Sequence, residues 1–198
     1  MADDALGLGG PGGDDRHRFS TDEELVRGYG AGSPGAFDLL VRLHQRSVYR
    51  LCSRFVGNHE DACDLSQEVF LRAHCGLAHF KARSALSTWL YRIGVNVCLN
   101  RVGSRRPATE ELQEETTEDP GAIDPAEWLT TQQRSDALRH AIARLPPRQR
   151  TVVILRVYQE LPHQEIATIV GISVGAVKAN LFHGMGNLRR LLGEGDGT

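Results

Sequence analysis

LPHQEIATIVGISVGAVKANLFHGMGNLRRLL, residues 161–192, reads as two helices joined at Gly171-Ile172-Ser173. Ile166, Val170 and Ile172 would form an inner wall, and Ala167 is small where two crossing helices must approach. Gly171 can take the positive φ that a tight turn needs. Ser173 can cap the second helix through a free backbone N–H. In that helix Val174, Val177, Leu181, Leu188 and Leu192 make one apolar stripe, with Met185 beside it. The opposite face presents Gly175, Ala176, Ala179 and His183, flanked by Lys178, Asn180 and Phe182. Small side chains let a helix come close to a major groove, and Lys178 and Asn180 can reach phosphates or base edges. The first turn also offers free N–H groups to a phosphate. The pattern is a helix-turn-helix, which serves duplex DNA binding or, packed the same way, a helical hairpin for protein contacts.

Upstream, Ala137, Leu138, Ala141, Ile142 and Leu145 form a helix that Pro146 and Pro147 stop. Pro147 lies at the start of the next one, which carries Val152, Val153, Leu155 and Val157. Further back, residues 107–134 hold Pro107, Pro120, Gly121 and Pro125 and a run of Glu. That composition predicts a linker, with a short helix from Pro125 onward.

The first half is helical by the same reading. Thr21 precedes Asp22, Glu23 and Glu24 as a cap. Residues 35–56 space Phe37, Leu40, Val41, Val48, Leu51, Cys52 and Phe55 at threes and fours. Asn58 opens a helix striped by Ala62, Leu65, Val69, Phe70 and Ala73. Residues 79–87 read as a loop or short helix, and Ser87 is a candidate cap for a helix through Trp89, Leu90, Ile93, Val97 and Leu99. No strand or hairpin pattern is visible there. The expected fold is all-α: a disordered tail over 1–20, a domain over 21–106, a flexible acidic linker over 107–134, and a helix-turn-helix domain over 135–193.

The 198 residues carry a net charge of −2, which hides a partition. Residues 22–106 are net +4, 107–134 net −7 and 135–198 net +3. A local basic surface attracts nucleic acid whatever the total charge, because salt confines the field. Solvated helices have the same charge, so charge alone does not choose. No apolar run approaches the roughly 18 residues of a membrane helix, and the first 20 residues lack a secretory pattern. A cytoplasmic protein without membrane insertion is expected. Cys52, Cys63, Cys75 and Cys98 form no CxxC, so core packing is expected and no metal or cofactor. No nucleophile, base and orienter form a set, and GLGGPGG lacks the Lys and helix of a phosphate loop, so no enzyme is expected.

DACDLSQEVFLRAH (61–74), STWLYRIGVNVCLNRVGSRR (87–106) and LPPRQRTVVILRVYQELPHQEIATIVGISVGAVKANL (145–181) follow in that order. Together they make residues 22–192 resemble a bacterial RNA polymerase sigma factor, of the extracytoplasmic-function class of the sigma-70 family. The first domain resembles sigma region 2 and the second region 4. The resemblance implies core RNA polymerase and promoter DNA as partners, with an anti-sigma factor besides. It implies that Asp64, Gln67, Glu68 and Phe70 dock on the polymerase clamp. It implies that residues 79–87 capture a flipped base of the −10 element, with Phe80 stacking, Lys81 and Arg83 holding phosphate and Ser84 donating a hydrogen bond. Trp89, Arg92, Asn96, Arg101, Arg105 and Arg106 lie on or after the promoter-facing helix, where Trp89 serves as core or as a wedge. For the −35 element it implies the face of Ser173, Gly175, Ala176, Lys178, Ala179, Asn180 and His183, with Arg148 and Arg150 near phosphates.

Six positions depart from the family pattern. Asn180, His183, Met185 and Gly186 stand where several basic residues are usual, Asn100 where an Asp is common, and His44 where an aromatic is common. The remaining readings are a helix-turn-helix regulator that works without polymerase, and an interaction protein held by a partner.

Overall fold

A computed structural model describes residues 21–33, 35–104 and 125–193. The described residues form helices and contain no strand. The first cluster holds α1 (Asp22–Gly30), α2 (Ala36–Val56), α3 (His59–Leu77) and α4 (Leu86–Ser104). The second holds α5 (Pro125–Ala143), α6 (Pro147–Val157), α7 (His163–Val170) and α8 (Val174–Gly193). The tail over 1–20 and most of the linker fall outside the described residues. The short helix expected from Pro125 runs without a break into the one expected around Ala141 and Ile142.

Local chemistry starts several of these helices. Thr21 takes the N–H of Glu24 on its side chain while Glu24 takes the Thr21 N–H, a reciprocal capping box. Asn58 accepts the Asp61 N–H at 2.8 Å and so begins α3. Pro147 occupies the first turn of α6, where its missing N–H is not needed. The start of α4 departs from expectation. Ser87 lies inside the helix, and the N–H of Leu86 is taken by the Asp22 carboxylate of α1 at 3.1 Å. An acidic group supplied by another helix completes that terminus, favoured by the same partial positive charge that favours any helix N-terminal carboxylate.

In the first cluster α2, α3 and α4 pack around Leu51, Cys52, Phe55, Leu65, Val69 and Val95. A smaller apolar set of Leu25, Leu40, Leu77, Leu86 and Leu90 joins α1 to it. In the second cluster α6 and α8 pack around Val153, Leu155, Val177 and Leu188. Gly184 permits that contact: a Cβ there would stand 2.8 Å from Val153 Cγ2. The two clusters touch, α4 against α7 and α2 against α6, and their buried apolar residues form one continuous set.

His44 on α2 is half-buried and its Nε2 has no partner. Burial pushes its imidazole below the ordinary 6.5, with Asp22 opposing in part. The unfolded chain therefore takes a proton that the folded chain resists. The stability at stake is present above pH 6.5 and is lost as pH falls through the folded value. His44→Phe is expected to flatten the fall in denaturant midpoint between neutral and mildly acidic pH, read by urea titration across that range.

Candidate functional site

The first surface lies on α3. Asp64 and Gln67 are exposed, Glu68 is half-buried, and Leu65 and Val69 point into the core. Glu68 accepts from Arg72 at 2.8 Å, one turn on. Phe70 is half-buried and touches both apolar sets. Beside this strip a cleft of 860 Å³ opens between α2 and α3, lined by Phe37, Val41, Tyr49, Gln67, Phe70 and Leu71. Leu71 is 64% exposed and Leu43 on α2 58%. Arg46 and His74 also line the cleft, and an apolar cleft of this kind suits the apolar face of a partner helix.

The second surface is the segment before α4 and α4 itself. Lys81 and Arg83 are exposed, and between them Ala82 adopts a left-handed backbone with φ 49°. Ser84 is half-buried. Phe80 packs on Trp89 with ring centroids 5.1 Å apart, so stacking on a base would first require leaving that ring. Trp89 is half-buried against Gly76, where a Cβ would come within 3.1 Å of it, which places the indole in the packing of α3 on α4. Arg92 and Asn96 are exposed one turn apart. Arg101 donates to Asp61 at 2.5 Å. Asp61 is only 6% exposed and needs that positive partner, since an unpaired buried carboxylate is costly. The expected contacts of Arg105 and Arg106 lie outside the described residues.

The third surface is on α8. Helices α7 and α8 meet at 99° across a turn in which Gly171 has φ 72° and Ser173 accepts the Ala176 N–H at 3.1 Å. Gly175, Lys178, Ala179 and His183 are exposed; Ala176 and Asn180 are half-buried. Asn180 donates to the Ala176 carbonyl at 2.8 Å, which keeps its amide along the helix. Phe182 is 77% exposed beside them. Arg148 is exposed, whereas Arg150 is buried and donates to the Phe55 carbonyl of the first cluster. Burial lowers the Arg150 guanidinium from its ordinary range.

The sequence reading missed the α2 side of the cleft, Phe37, Val41 and Tyr49. Helical spacing marked Phe37 and Val41 only as part of a buried face and did not single out Tyr49, which hydrogen-bonds His59 at 2.9 Å. The cysteines divide. Cys52 and Cys98 are buried as expected, while Cys63 is half-buried 3.5 Å from His59 and Cys75 is exposed. The hydrogen bond with Cys52, and burial, push the Cys98 thiol up. Among the described residues no group of three His, Cys, Asp or Glu can hold a metal ion, and no single helix is long and apolar enough to cross a membrane.

The Sigma-70 region 2 family matches residues 40–107 and the Sigma-70, region 4 family residues 135–188. The two regions in this order define a sigma-70-type RNA polymerase sigma factor. The ECF RNA polymerase sigma factor SigW of Bacillus subtilis is 32% identical over 170 residues, 81% of this chain and 91% of that protein. The ECF RNA polymerase sigma factor SigM of Mycobacterium tuberculosis is 35% identical over 191 residues, 96% of this chain and 90% of that protein. The chain belongs to the extracytoplasmic-function class of the sigma-70 family, which directs RNA polymerase to promoters. Among solved structures, CnrH in complex with the cytosolic domain of CnrY has a TM-score of 0.66 at 24% identity, over 87% of this chain and 97% of that one. The sigma factor RpoE of Bartonella quintana, in complex with the anti-sigma factor NepR, has a TM-score of 0.62 at 20% identity, over 80% of this chain and 97% of that one. Both share the fold.

Proposed function

We propose that the three surfaces divide the work of initiation. The α3 strip of Asp64, Gln67, Glu68 and Phe70, with the cleft beside it, docks on core polymerase. Lys81, Arg83, Ser84, Arg92 and Asn96 hold the opened −10 strand, and Phe80 joins them by turning away from Trp89. Helices α7 and α8 act as a helix-turn-helix domain. They place Gly175, Lys178, Ala179 and His183 in the major groove of the −35 element, with Arg148 on a nearby phosphate. An anti-sigma factor is the regulatory partner. The residues before α5 act as an acidic tether between two DNA-binding domains. The observation that carries this reading is the separation of character: an apolar cleft between α2 and α3 beside the exposed polar strip of α3, and exposed cations on the segment before α4, on α4 and on α8.

The test is transcription by purified core polymerase with this chain added, with the 5′ ends of transcripts sequenced. Transcripts sharing elements near −10 and −35 are expected; a chain that leaves the transcript pattern of core polymerase unchanged would sink the reading. The recognition helix has one exposed cation in its first two turns, Lys178. Lys178→Ala is expected to weaken promoter binding by holoenzyme several-fold and to reduce the salt slope by about one. Fluorescence anisotropy against salt concentration reads both.

A further inference from the structure

Cys63 stands apart from the other cysteines. Cys52 and Cys98 are buried and Cys75 is exposed, whereas Cys63 is half-buried and lines the α2–α3 cleft. Folding sets an imidazole against its sulfur. His59, one turn earlier on α3, puts Nε2 3.5 Å and Nδ1 4.0 Å from Sγ. The Tyr49 hydroxyl of α2 holds that ring by a 2.9 Å hydrogen bond at Nδ1, and the two rings meet edge-on with centroids 5.8 Å apart. In the tautomer whose Nδ1–H donates to the Tyr49 oxygen, Nε2 presents its lone pair to the thiol. A base held in this way by a third group turns a thiol into a nucleophile, since the thiolate is the reacting form. The charges around it are of both signs: Glu60 and Asp64 flank it on α3, and Arg46 lines the cleft from α2.

The cleft selects what such a thiol meets. Its 860 Å³ falls in the range of small-molecule sites. Phe37, Val41 and Phe70 give it apolar walls, and the exposed Arg46 offers a guanidinium to a carboxylate.

We propose that Cys63 is a site of reversible thiolation: a low-molecular-weight disulfide that carries a carboxylate enters the cleft and exchanges with Cys63, and the attached group then blocks docking of core polymerase. The blocking half rests on the docking reading of α3 given above. In the exchange the Cys63 proton passes to His59 Nε2, and the Cys63 sulfur attacks one sulfur of the disulfide. The old S–S bond breaks as the new one forms, and the departing thiolate takes the proton from the imidazolium. Cys63 is oxidised by the amount that the departing sulfur is reduced, so no further oxidant is needed. The attached group lies in the cleft with Gln67 and Phe70, on the face that meets the polymerase.

The full chain is treated with glutathione disulfide, and thiolated Cys63 and Cys75 are followed over time by peptide mass spectrometry. Cys63 is expected to react at least tenfold faster than Cys75, although it is the less exposed of the two. His59→Gln, at an exposed position, is expected to remove that advantage. Equal rates at the two cysteines, or an undiminished advantage in His59→Gln, would overturn the site. For the blocking half, a Cys75→Ser chain is thiolated, freed of reagent and titrated with core polymerase. Binding is expected to weaken at least tenfold and to return on reduction with dithiothreitol, while the same treatment leaves a Cys63→Ser/Cys75→Ser chain unaffected. Unchanged binding by the thiolated chain, where Asp64→Lys/Glu68→Lys does weaken it, would overturn the block and leave docking on α3 standing. Unchanged binding in both would overturn docking on α3, and the block with it.

Discussion

Asp64→Lys together with Glu68→Lys is expected to weaken binding of core polymerase tenfold to a hundredfold. Asp64 is exposed and Glu68 half-buried on α3, so reversal leaves the core of α3 untouched. A factor of ten corresponds to about 1.4 kcal/mol, within reach of two reversed charges facing a complementary partner. Reversal at 68 also sets a lysine one turn from Arg72, in place of the present pair. Like charges at that spacing cost about 0.2–0.5 kcal/mol of helix stability, which is too little to unfold the domain. Circular dichroism should therefore report unchanged helix content while titration with fluorescently labelled chain reports the loss. An unchanged affinity would remove α3 from the polymerase interface.

Phe55→Ala has the larger effect on stability. Phe55 is 1% exposed at the end of α2, in the apolar set that runs through both clusters. Truncating a buried phenylalanine costs about 3–5 kcal/mol, as lost burial and as a cavity. Its ring also lies 5.7 Å from the Arg150 guanidinium, which loses an apolar wall and a weak cation–π contact. Unfolding by urea should show a midpoint far below that of the parent chain, with both clusters affected. A loss under 1 kcal/mol would mean that the two clusters do not share a core through this residue.

Which parts of the molecule could be read from sequence follows from the reach of each interaction. The caps at Thr21, Asn58 and Ser173 act within three residues, and each stands where the spacing placed it. The turn at Gly171 is equally local. The cap of α4 was illegible because its carboxylate is 64 residues away. Arg101 and Arg150 read as free cations for the same reason. Their partners, Asp61 and the Phe55 carbonyl, are 40 and 95 residues distant. On α3 the polar strip of Asp64 and Gln67 followed from helical spacing. That spacing also held a signal for Cys63, four residues before Gln67 on the same side, where core packing was expected.

The bond from Leu86 to Asp22 makes the opening residues of α1 part of the support of the segment proposed to meet promoter DNA. A chain trimmed to begin at Gly35 would keep every residue assigned to nucleic acid and still start α4 with an unmet N–H. Fraying there would loosen the segment that carries Lys81 and Arg83. Hydrogen exchange at Leu86 would register the injury before any change in the DNA-contacting side chains themselves.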